Sequence, residues 1–287
     1  MKQLNLFIEL TRLKKPIGFM LLFWPCAWGL TLAYDFSNSL NSYFFYLFLF
    51  FMGSVLMRSA GCIVNDISDK EFDKKVERTK NRPIASGNIS VKLGLLYTII
   101  LCSIAFLVLI NFNNLTIILA LGSMPLAFTY PLMKRFTYWP QLFLGITFNY
   151  GLVLGWTAIQ GEINAVAIIF YFGAIFWTLG YDTIYGFQDI KDDEIIGVKS
   201  TSIKFKKKPK LFLTTCYLVF LISLILVSFI MKFNSMSYFF ILISAVHLFF
   251  FQIYKFNYQD PKTCLKIFKS NNFFGAIVLC NILIGRL

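Results

Sequence analysis

The sequence is poor in the residues from which most zinc and thiol sites are built. It contains one histidine, His247, and six cysteines, no two of which form a CxxC pair. Isolated cysteines of this kind are typical of small buried apolar side chains. A lone histidine inside an apolar stretch is typical of a hydrogen bond between packed helices. These absences argue against a zinc centre or a thiol centre.

Charge is scarce as well. Charged residues make up 14% of the 287 residues and hydrophobic residues 57%, and the mean hydropathy is +0.68. A soluble globular protein carries about 25% charged residues, so the composition argues against that class. Apolar stretches near the roughly 20 residues that a bilayer-spanning helix needs recur along the chain. In lipid, only helices satisfy so many backbone groups without closing a barrel.

We therefore predict an all-α polytopic membrane protein with a single domain, residues 1–287. The hydropathy pattern predicts about nine transmembrane helices. These are Ile17–Tyr34, Ser42–Cys62, Leu93–Ile110, Leu115–Pro131, Trp139–Ala158, Ala165–Tyr185, Leu211–Met231, Tyr238–Tyr254 and Asn272–Ile284.

The basic balance of the chain is explained by membrane topology. The net charge is +13, which could suggest a nucleic-acid partner. If nine spans alternate, however, 25 of the 27 lysines and arginines fall on one side, and only Lys232 and Arg286 fall on the other. This distribution follows the positive-inside rule. It predicts a cytoplasmic N-terminus, an outside C-terminus and a lipid bilayer, not a nucleic acid, as the partner.

Acidic residues number only 14, and ten of them lie in or near two short segments that follow spans two and six. Carboxylates avoid apolar surroundings unless a cation compensates for their lost hydration. The charge distribution puts both segments on the cytoplasmic side. Two acidic clusters that face one cavity suit a divalent metal and, through it, a phosphorylated substrate. The ten are Asp66, Asp69, Glu71, Asp73, Glu77, Asp182, Asp189, Asp192, Asp193 and Glu194.

In the first acidic segment, Asn65, Asp69 and Asp73 are spaced four residues apart, with Asp66 beside them. On a helix this spacing forms one stripe of oxygen side chains. Mg²⁺ suits such a stripe, because it takes one or two carboxylates and completes its shell with water and substrate phosphate. A solvated basic loop would explain the nearby cations, but not the register of the oxygen ligands. Cations that could bind phosphate follow directly: Lys74, Arg78 and Arg82.

The second acidic segment repeats the pattern. Asp189 and Asp193 are again four residues apart, and Asp182 precedes Asp189 by seven, which predicts a shared helical face about two turns deeper. Asp182 lies inside an apolar span, where a carboxylate is a candidate functional residue. Lys199 supplies a nearby cation. Each carboxylate set could hold one Mg²⁺, and the two ions could bridge a diphosphate.

These motifs resemble those of the UbiA superfamily of membrane prenyltransferases, and within it most closely the 4-hydroxybenzoate polyprenyltransferases. The segment Asn65–Gly87 is similar to the family's NDxxDxxxD and RTxxRPxxSG motifs, and Asp189–Ser200 to its DxxxD and GxKS motifs. Two further stretches resemble the family: RLKKPIG at Arg12–Gly18 and YPLMKRFTYWPQ at Tyr130–Gln141.

The resemblance implies nine helices around a central cavity that the two acidic segments cap. Mg²⁺ would bind the diphosphate of a polyprenyl donor, whose tail would lie in a lipid-accessible groove. The acceptor would be 4-hydroxybenzoate, alkylated beside its hydroxyl group in ubiquinone biosynthesis, and Arg135 would meet its carboxylate. The location that follows is a membrane, by this reading the bacterial inner membrane.

The candidate site then comprises three sets of residues. The metal set is Asn65, Asp66, Asp69, Asp73, Asp189 and Asp193. The substrate-binding set is Arg58, Lys74, Arg78, Arg82, Lys134, Arg135, Lys199, Tyr130 and Tyr185. The catalytic set is Asp189, Asp182 and Arg135. Either carboxylate of the catalytic set, or the released diphosphate, could accept the ring proton.

Prenyl transfer explains why such residues are needed. An allylic diphosphate leaves readily only if its developing negative charge is neutralised. The carbocation left behind must be shielded from water by π faces, and aromatic residues make up 18% of this chain.

Four alternatives stay open at this point. A haem-farnesylating enzyme or a naphthoate prenyltransferase would share the metal motifs and differ in the acceptor pocket, near Lys134 and Arg135. A cation transporter would also use intramembrane carboxylates. Transport sites usually lie near the bilayer midplane, whereas these acids lie at helix ends beside lysines and arginines. The last alternative is a lipid-binding scaffold without catalytic activity.

Overall fold

A computed structural model describes residues 2–77 and 79–287. These residues form helices and turns, without a strand among them. A 3₁₀ turn, Tyr130–Leu132, and a π-helix, His247–Tyr254, interrupt the series of α-helices. The α-helices are α1 (Lys2–Leu10), α2 (Ile17–Ala33), α3 (Leu40–Ser68), α4 (Lys70–Asp73), α5 (Val91–Leu109), α6 (Asn114–Thr129), α7 (Met133–Phe136), α8 (Pro140–Gln160), α9 (Ala165–Gly186), α10 (Ile190–Ile196), α11 (Thr201–Lys204), α12 (Pro209–Ile230), α13 (Ser235–Val246) and α14 (Pro261–Arg286).

The protein is an integral membrane protein. Eight helical segments of the described chain are long and apolar enough to cross a bilayer, and α2, with 17 residues, is a shorter apolar helix. Together they correspond to the nine predicted spans. Successive spans alternate in direction. The acidic segments, α7 and the start of α12 therefore share one end of the bundle, here called the carboxylate end. At the opposite end, Arg286 Nη2 donates to the Tyr34 carbonyl at 2.9 Å.

Two spans are longer than predicted, because polar residues near their ends have partners. Helix α3 continues beyond the predicted limit at Cys62 to Ser68, and Asp66 on its last turn is ion-paired with Arg12. Helix α14 begins at Pro261 instead of Asn272. Its N-cap Asp260 accepts a hydrogen bond from the Lys262 N–H at 3.0 Å, which satisfies a donor that the helix leaves open.

One local prediction is wrong. Asp182, Asp189 and Asp193 do not share a single helical face, because α9 ends at Gly186 and Asp189 is the N-cap of the separate helix α10. The chain turns between the two helices, and the N–H of Phe187 donates to the Ile184 carbonyl at 3.3 Å, a contact three residues apart. The turn separates Asp182, in the membrane-spanning helix, from the pair at the surface.

Helix α2 lies in the middle of the bundle, where aromatic rings make the core. Trp28 and Trp177 are fully buried, with ring centroids 5.0 Å apart. Phe274 of α14 packs on Trp177 at 5.7 Å and on Phe220 of α12 at 5.5 Å. These rings therefore join α2, α9, α12 and α14 into one half of the molecule.

The other half contains α3, α5, α6 and α8, of which α5 and α6 bury the least of their surface. The backbones of α2 and α8 are in close contact at Gly155. A Cβ atom on this residue would overlap the Cys26 carbonyl oxygen and the Leu30 nitrogen. Helix α3 packs on α5 and on α1 through a second apolar cluster that includes Leu10, Ile63 and Ile84. That cluster holds α1 across the carboxylate end and so positions the turn that follows it.

Candidate active site at the carboxylate end

The first acidic segment keeps its predicted spacing although α3 ends within it. The N–H of Asp69 donates to the Asn65 carbonyl at 2.9 Å, and the N–H of Asp73 donates to the Asp69 carbonyl at 2.8 Å. Helical register therefore continues from α3 into α4. The side chains of this stripe are not solvated, because Asp66 and Asp69 are each 2% exposed and Asp73 is 6% exposed.

Cations from separate parts of the chain compensate for these buried charges. Arg12 Nη2 lies 2.6 Å from Asp66 Oδ1. Arg82 Nη1 lies 3.2 Å from the same oxygen and 2.8 Å from Asp73 Oδ2. Arg12 follows α1 and Arg82 follows the acidic segment, so the two guanidinium groups close this carboxylate pair from two directions.

Asp69 has a different partner and an open oxygen. Its Oδ2 accepts a hydrogen bond from Lys134 Nζ at 2.5 Å, and its Oδ1 is buried without a hydrogen-bond partner. Arg135 Nη2 lies 3.9 Å from Oδ1, which is too far for a hydrogen bond. Burial raises the pKa of the Asp69 carboxyl group above its usual range, and Lys134 opposes that rise. A second cation bound at Oδ1 would offset the part of the free-energy cost of burying the Asp69 carboxylate that Lys134 leaves uncompensated.

These residues fit a hard divalent cation. The donors available in the stripe are carboxylate and amide oxygens, and Asp69 Oδ1 lacks a hydrogen-bond partner. Within the described part of the chain, no group of three or more His, Cys, Asp or Glu side chains is arranged to hold a metal ion by itself. An ion at this stripe would therefore need substrate or water oxygens to complete its shell.

The short helix α7 brings basic residues to the acidic stripe. Besides Lys134, it carries Arg135, whose Nη2 donates to the Ser68 carbonyl at 2.5 Å and whose guanidinium carbon lies 5.2 Å from the Phe72 ring centroid. Arg135 therefore lies against the first acidic segment. The predicted contact between Arg135 and an acceptor carboxylate stays a prediction.

The second acidic segment is joined to the first through α7. The N–H of Asp193 donates to the Asp189 carbonyl at 2.9 Å, and Gly197 ends α10 with a φ of 80°, a left-handed conformation that favours glycine. The N–H of Lys199 then donates to the Lys134 carbonyl at 2.8 Å, and Lys199 Nζ donates to the Phe136 carbonyl at 3.2 Å. Lys134 thus contacts the stripe with its side chain and the GxKS segment with its backbone.

A deeper polar group lies inside the bundle below the stripe. Arg58 is on α3, and its Nε is buried without a hydrogen-bond partner. Its guanidinium carbon lies 5.4 Å from the Phe148 ring centroid, and a Cβ on Gly18 would approach Nε to 2.8 Å. Tyr130 and Asp182 both interact electrostatically with the Arg58 side chain. This arrangement leaves one buried cationic N–H donor without a hydrogen-bond partner.

Two of the predicted substrate-binding residues, Lys74 and Tyr185, make their ion-pair and ring contacts outside these clusters. Lys74 pairs with Glu71 at 2.8 Å, and the Glu71 side chain is 73% exposed. Tyr185 packs on Phe268 with ring centroids 4.3 Å apart. Arg78 lies outside the described residues.

Sequence reasoning missed Arg12 as a partner of Asp66. The residue stands in the RLKKPIG stretch, where its left-handed backbone, with a φ of 57°, turns the chain between α1 and α2. Only the family resemblance of that stretch could have marked it, because spacing relates it to nothing in the acidic segment.

The profile of the UbiA prenyltransferase family matches residues 22–278 of this chain. The 4-hydroxybenzoate geranyltransferase 2 of Lithospermum erythrorhizon is 42% identical over 287 residues, which cover 100% of this chain and 92% of that protein. The mitochondrial 4-hydroxybenzoate polyprenyltransferase of Bos taurus is 42% identical over 287 residues, which cover 100% of this chain and 76% of that protein.

Solved structures share the fold at lower sequence identity. A UbiA homolog from Aeropyrum pernix superposes with a TM-score of 0.77 at 21% identity, over 94% of this chain and 99% of that chain. A UbiA homolog from Archaeoglobus fulgidus bound to GPP and Mg²⁺ superposes with a TM-score of 0.69 at 17% identity, over 97% of this chain and 99% of that chain.

Proposed function

The chain belongs to the UbiA prenyltransferase family, and we propose that it transfers a polyprenyl group from polyprenyl diphosphate to 4-hydroxybenzoate. The new bond forms on the ring carbon ortho to the hydroxyl group, in ubiquinone biosynthesis, and the reaction depends on Mg²⁺. The observation that carries the proposal is identity of 42% over the whole chain to relatives named for this acceptor. A homolog of the same fold bound to GPP and Mg²⁺ supports the class of donor and metal.

The acidic segments provide the metal ligands in this proposal. The buried Oδ1 atom of Asp69, which has no hydrogen-bond partner, supports the assignment. The negative charge of the stripe around it supports the assignment as well. When bound, Mg²⁺ neutralises the charge that develops on the leaving diphosphate. The residues that would hold it are Asn65, Asp66, Asp69, Asp73, Asp189 and Asp193.

Basic side chains around the stripe would bind the diphosphate directly. Arg82 and Lys134 already lie within hydrogen-bond distance of the buried carboxylates. A guanidinium group has five N–H donors, so Arg82 can hold a carboxylate and still offer donors to a phosphate. Lys199 Nζ donates to the Phe136 carbonyl of α7, the helix that carries Lys134, so its charge lies near that of Lys134. Lys74 and Arg78 complete the proposed set.

The deeper cluster supports an anionic aromatic acceptor. Arg58 presents an unpaired buried Nε next to the Phe148 ring and the Tyr130 hydroxyl group. A guanidinium group pairs well with a carboxylate, and a benzoate ring can lie against the neighbouring aromatic faces. The contacts of Arg135 with Ser68 and Phe72 favour Arg58 for this role, with Arg135 as the second candidate.

The remaining steps need a dry cavity and a proton acceptor. The allylic bond to the diphosphate breaks, the electron-rich ring carbon bonds to the prenyl carbon, and the ring then loses the proton at that carbon. Asp182 is proposed to accept the proton, because it lies in a span near Arg58 and so near the proposed ring site. Asp189 is the alternative acceptor. The surrounding aromatic side chains would exclude water from the carbocation.

Product analysis tests this function. Purified protein in lipid nanodiscs would be supplied with Mg²⁺, one polyprenyl diphosphate and one acceptor at a time, and the products identified by mass spectrometry. We expect 4-hydroxybenzoate to gain one polyprenyl group and EDTA to abolish the reaction. Prenylation of a naphthoate or farnesylation of haem in its place would overturn the choice of acceptor. Cation flux in liposomes without any prenyl transfer would indicate a transporter.

A further inference from the structure

The start of α12 and the end of the π-helix enclose an apolar cleft at the carboxylate end of the bundle. Helix α12 begins at that end and the π-helix ends there, and a cleft of about 310 Å³ lies between them. Its apolar lining comes from the π-helix, and Lys210, on the first turn of α12, supplies a cation. The lining residues of the π-helix are Phe249, Phe250, Ile253 and Tyr254.

Buried hydrogen bonds fix the side of the π-helix that faces the bundle. Gln252 is fully buried, its Oε1 accepts from the Tyr217 hydroxyl group of α12 at 2.6 Å, and its Nε2 donates to Asn271 Oδ1 of α14 at 3.0 Å. Tyr217 follows Lys210 by seven residues, about two helical turns, so the two lie on the same face of α12. The cleft is therefore a fixed feature of how these helices pack.

The outer side of the cleft is open to the surroundings. Phe250 is 68% exposed and Tyr254 is 77% exposed. In a membrane-spanning helix, large apolar side chains with this exposure face lipid, and a tyrosine near the helix end is typical of the membrane interface. The cleft thus lies where the acyl region of the bilayer meets the headgroups.

Positive charge surrounds this cleft and is not neutralised by acids. Lys208 and Lys210 are exposed at the start of α12, and Lys255 is exposed directly after the π-helix. Among the residues that the structure describes, none of these three lysines takes part in an ion pair, whereas Lys206 Nζ lies 2.8 Å from Glu194 Oε1. The cleft therefore combines an apolar lining with unpaired positive charge at its rim.

This combination matches the chemistry of an anionic phospholipid. Basic pockets between membrane helices on the cytoplasmic side bind anionic headgroups, and lysine pairs with phosphate as a point charge. A zwitterionic headgroup carries an ammonium group that lysines repel, so it gains less from the same rim. An acyl chain below the headgroup meets the apolar lining.

We propose that this cleft binds an anionic phospholipid, with the headgroup phosphate at Lys210 and an acyl chain along Phe250 and Ile253. The proposal goes beyond the proposed function and does not depend on it, because none of these residues belongs to the metal, substrate-binding or catalytic sets. The bound lipid contacts both α12 and the π-helix, so it stabilises their packing.

Native mass spectrometry of the purified, delipidated protein in detergent tests the proposal. Phosphatidylglycerol and phosphatidylcholine with identical acyl chains would be titrated separately, and the apparent Kd of the first bound lipid measured. We expect phosphatidylglycerol to bind about fivefold more tightly, as one additional lysine contact predicts. Equal affinities would overturn the proposal. Displacement of bound phosphatidylglycerol by polyprenyl diphosphate would assign the cleft to the donor and would overturn it as well.

A matched pair of lysine variants locates the site. Lys210 is the second residue of α12 and Lys92 is the second residue of α5; both are exposed at the carboxylate end. We expect Lys210→Gln to raise the apparent Kd for phosphatidylglycerol about fivefold and to abolish the preference over phosphatidylcholine, and Lys92→Gln to change it by less than about twofold. Equal losses in the two variants would show that lipid responds to the total charge of this end, against a site in the cleft.

A second pair of variants tests the apolar lining. Phe250, in the cleft, is 68% exposed, and Phe239, on α13 outside the cleft, is 55% exposed. Because Phe250→Ala removes apolar area that the acyl chain covers, we expect it to raise the apparent Kd for phosphatidylglycerol about threefold, with Phe239→Ala unchanged. An unchanged Kd in Phe250→Ala would reduce the interaction to headgroup charge and would overturn binding in the cleft.

Discussion

Several carboxylates at the carboxylate end are buried away from water, so the charge of each depends on a particular cationic partner. Asp69 is 2% exposed and has one oxygen on Lys134 and one without a hydrogen bond. Asp66 and Asp73 instead share Arg82. A carboxylate with an open oxygen is the one whose function should change most when its charge is removed.

Asp69→Asn tests this difference. The substitution nearly keeps the shape of the side chain and removes its charge, so Lys134 loses its partner and a proposed metal ligand is weakened. We expect kcat/KM to fall about 100-fold, on the order of 3 kcal/mol of transition-state stabilisation, and the half-saturating Mg²⁺ concentration to rise. Steady-state rates across a Mg²⁺ titration measure both.

Glu71→Gln is the matched control in the same segment. The Glu71 side chain is 73% exposed and pairs with Lys74 at the surface, where ion pairs contribute little. Its rate and its Mg²⁺ dependence should stay within about twofold of the parent enzyme. If both variants lost activity equally, the segment would matter through its overall charge and not through the buried oxygen of Asp69.

Arg58→Lys separates the two candidate acceptor residues. Lysine keeps the charge but loses the planar fork that pairs with a carboxylate, so the apparent KM for 4-hydroxybenzoate should rise about tenfold, with the donor KM nearly unchanged. Arg135→Lys should change the acceptor KM less, because Arg135 already donates to the Ser68 carbonyl. Titration of each substrate with the other saturating measures both constants. A larger acceptor effect in Arg135→Lys would return the carboxylate to Arg135.

At the scale of single residues, the sequence predicted those arrangements that follow from regular spacing along a helix. Asn65, Asp69 and Asp73 form a stripe because their four-residue spacing follows the helix, and backbone hydrogen bonds keep it. Arg12 was missed because its contact with Asp66 spans 54 positions and depends on a left-handed turn. The open nitrogen of Arg58 was also invisible, since a missing partner shows only once the neighbours are packed.

At the scale of helices, α2 and α8 make the closest backbone contact in the fold that the glycine positions reveal. Gly29 and Gly155 face each other across this seam, and a Cβ on either would overlap the backbone of the other helix. In lipid, such close approach is a main source of helix association, because apolar side chains gain little by leaving one apolar solvent for another. The seam also fixes Phe148 of α8 beneath Arg58.

Gly155→Ala should therefore destabilise the bundle. The added methyl group must push α2 away from α8, and overpacking of this kind typically costs about 1–3 kcal/mol. The apparent melting temperature in detergent should fall, as followed by heat-induced aggregation. Gly122→Ala on α6 is the control, since nothing lies within 4 Å of the added Cβ. Similar melting temperatures for both variants would show that the seam tolerates a methyl group.

Hydropathy predicted the existence of the helices well and their ends less well. An apolar stretch shows a span wherever lipid surrounds it, but α3 and α14 extend into polar sequence because Asp66 is ion-paired and Asp260 caps its helix. The break between α9 and α10 was missed for the opposite reason. The four- and seven-residue spacing of the acids around Phe187 is consistent with an unbroken helix, but α9 ends at Gly186 and α10 begins at Ile190.

The long membrane spans of the molecule differ in how much of their surface the bundle buries, and α5 and α6 are the most exposed of the eight. The aromatic core joins α2, α9, α12 and α14, whereas α6 buries little of its surface.

The last prediction concerns how the whole molecule lies in the membrane. We propose that the carboxylate end faces the cytoplasm, since 25 of the 27 lysines and arginines belong to that end of a nine-span arrangement. Reporter fusions after Leu40, Asn88, Asn113 and Leu287 should then read outside, inside, outside and outside. The fusions after Leu40 and Asn113 sit at turns of the opposite end, and the fusion after Asn88 sits in the loop before α5. A cytoplasmic reading at Leu287 together with the expected reading at Asn88 would mean that one of the apolar helices after Asn88 does not cross the bilayer, whereas a failure of α2, with 17 residues, to cross would show as a cytoplasmic reading at Leu40. Inversion of all four readings would instead show that the basic end faces outward, against the charge rule on which the proposed orientation rests.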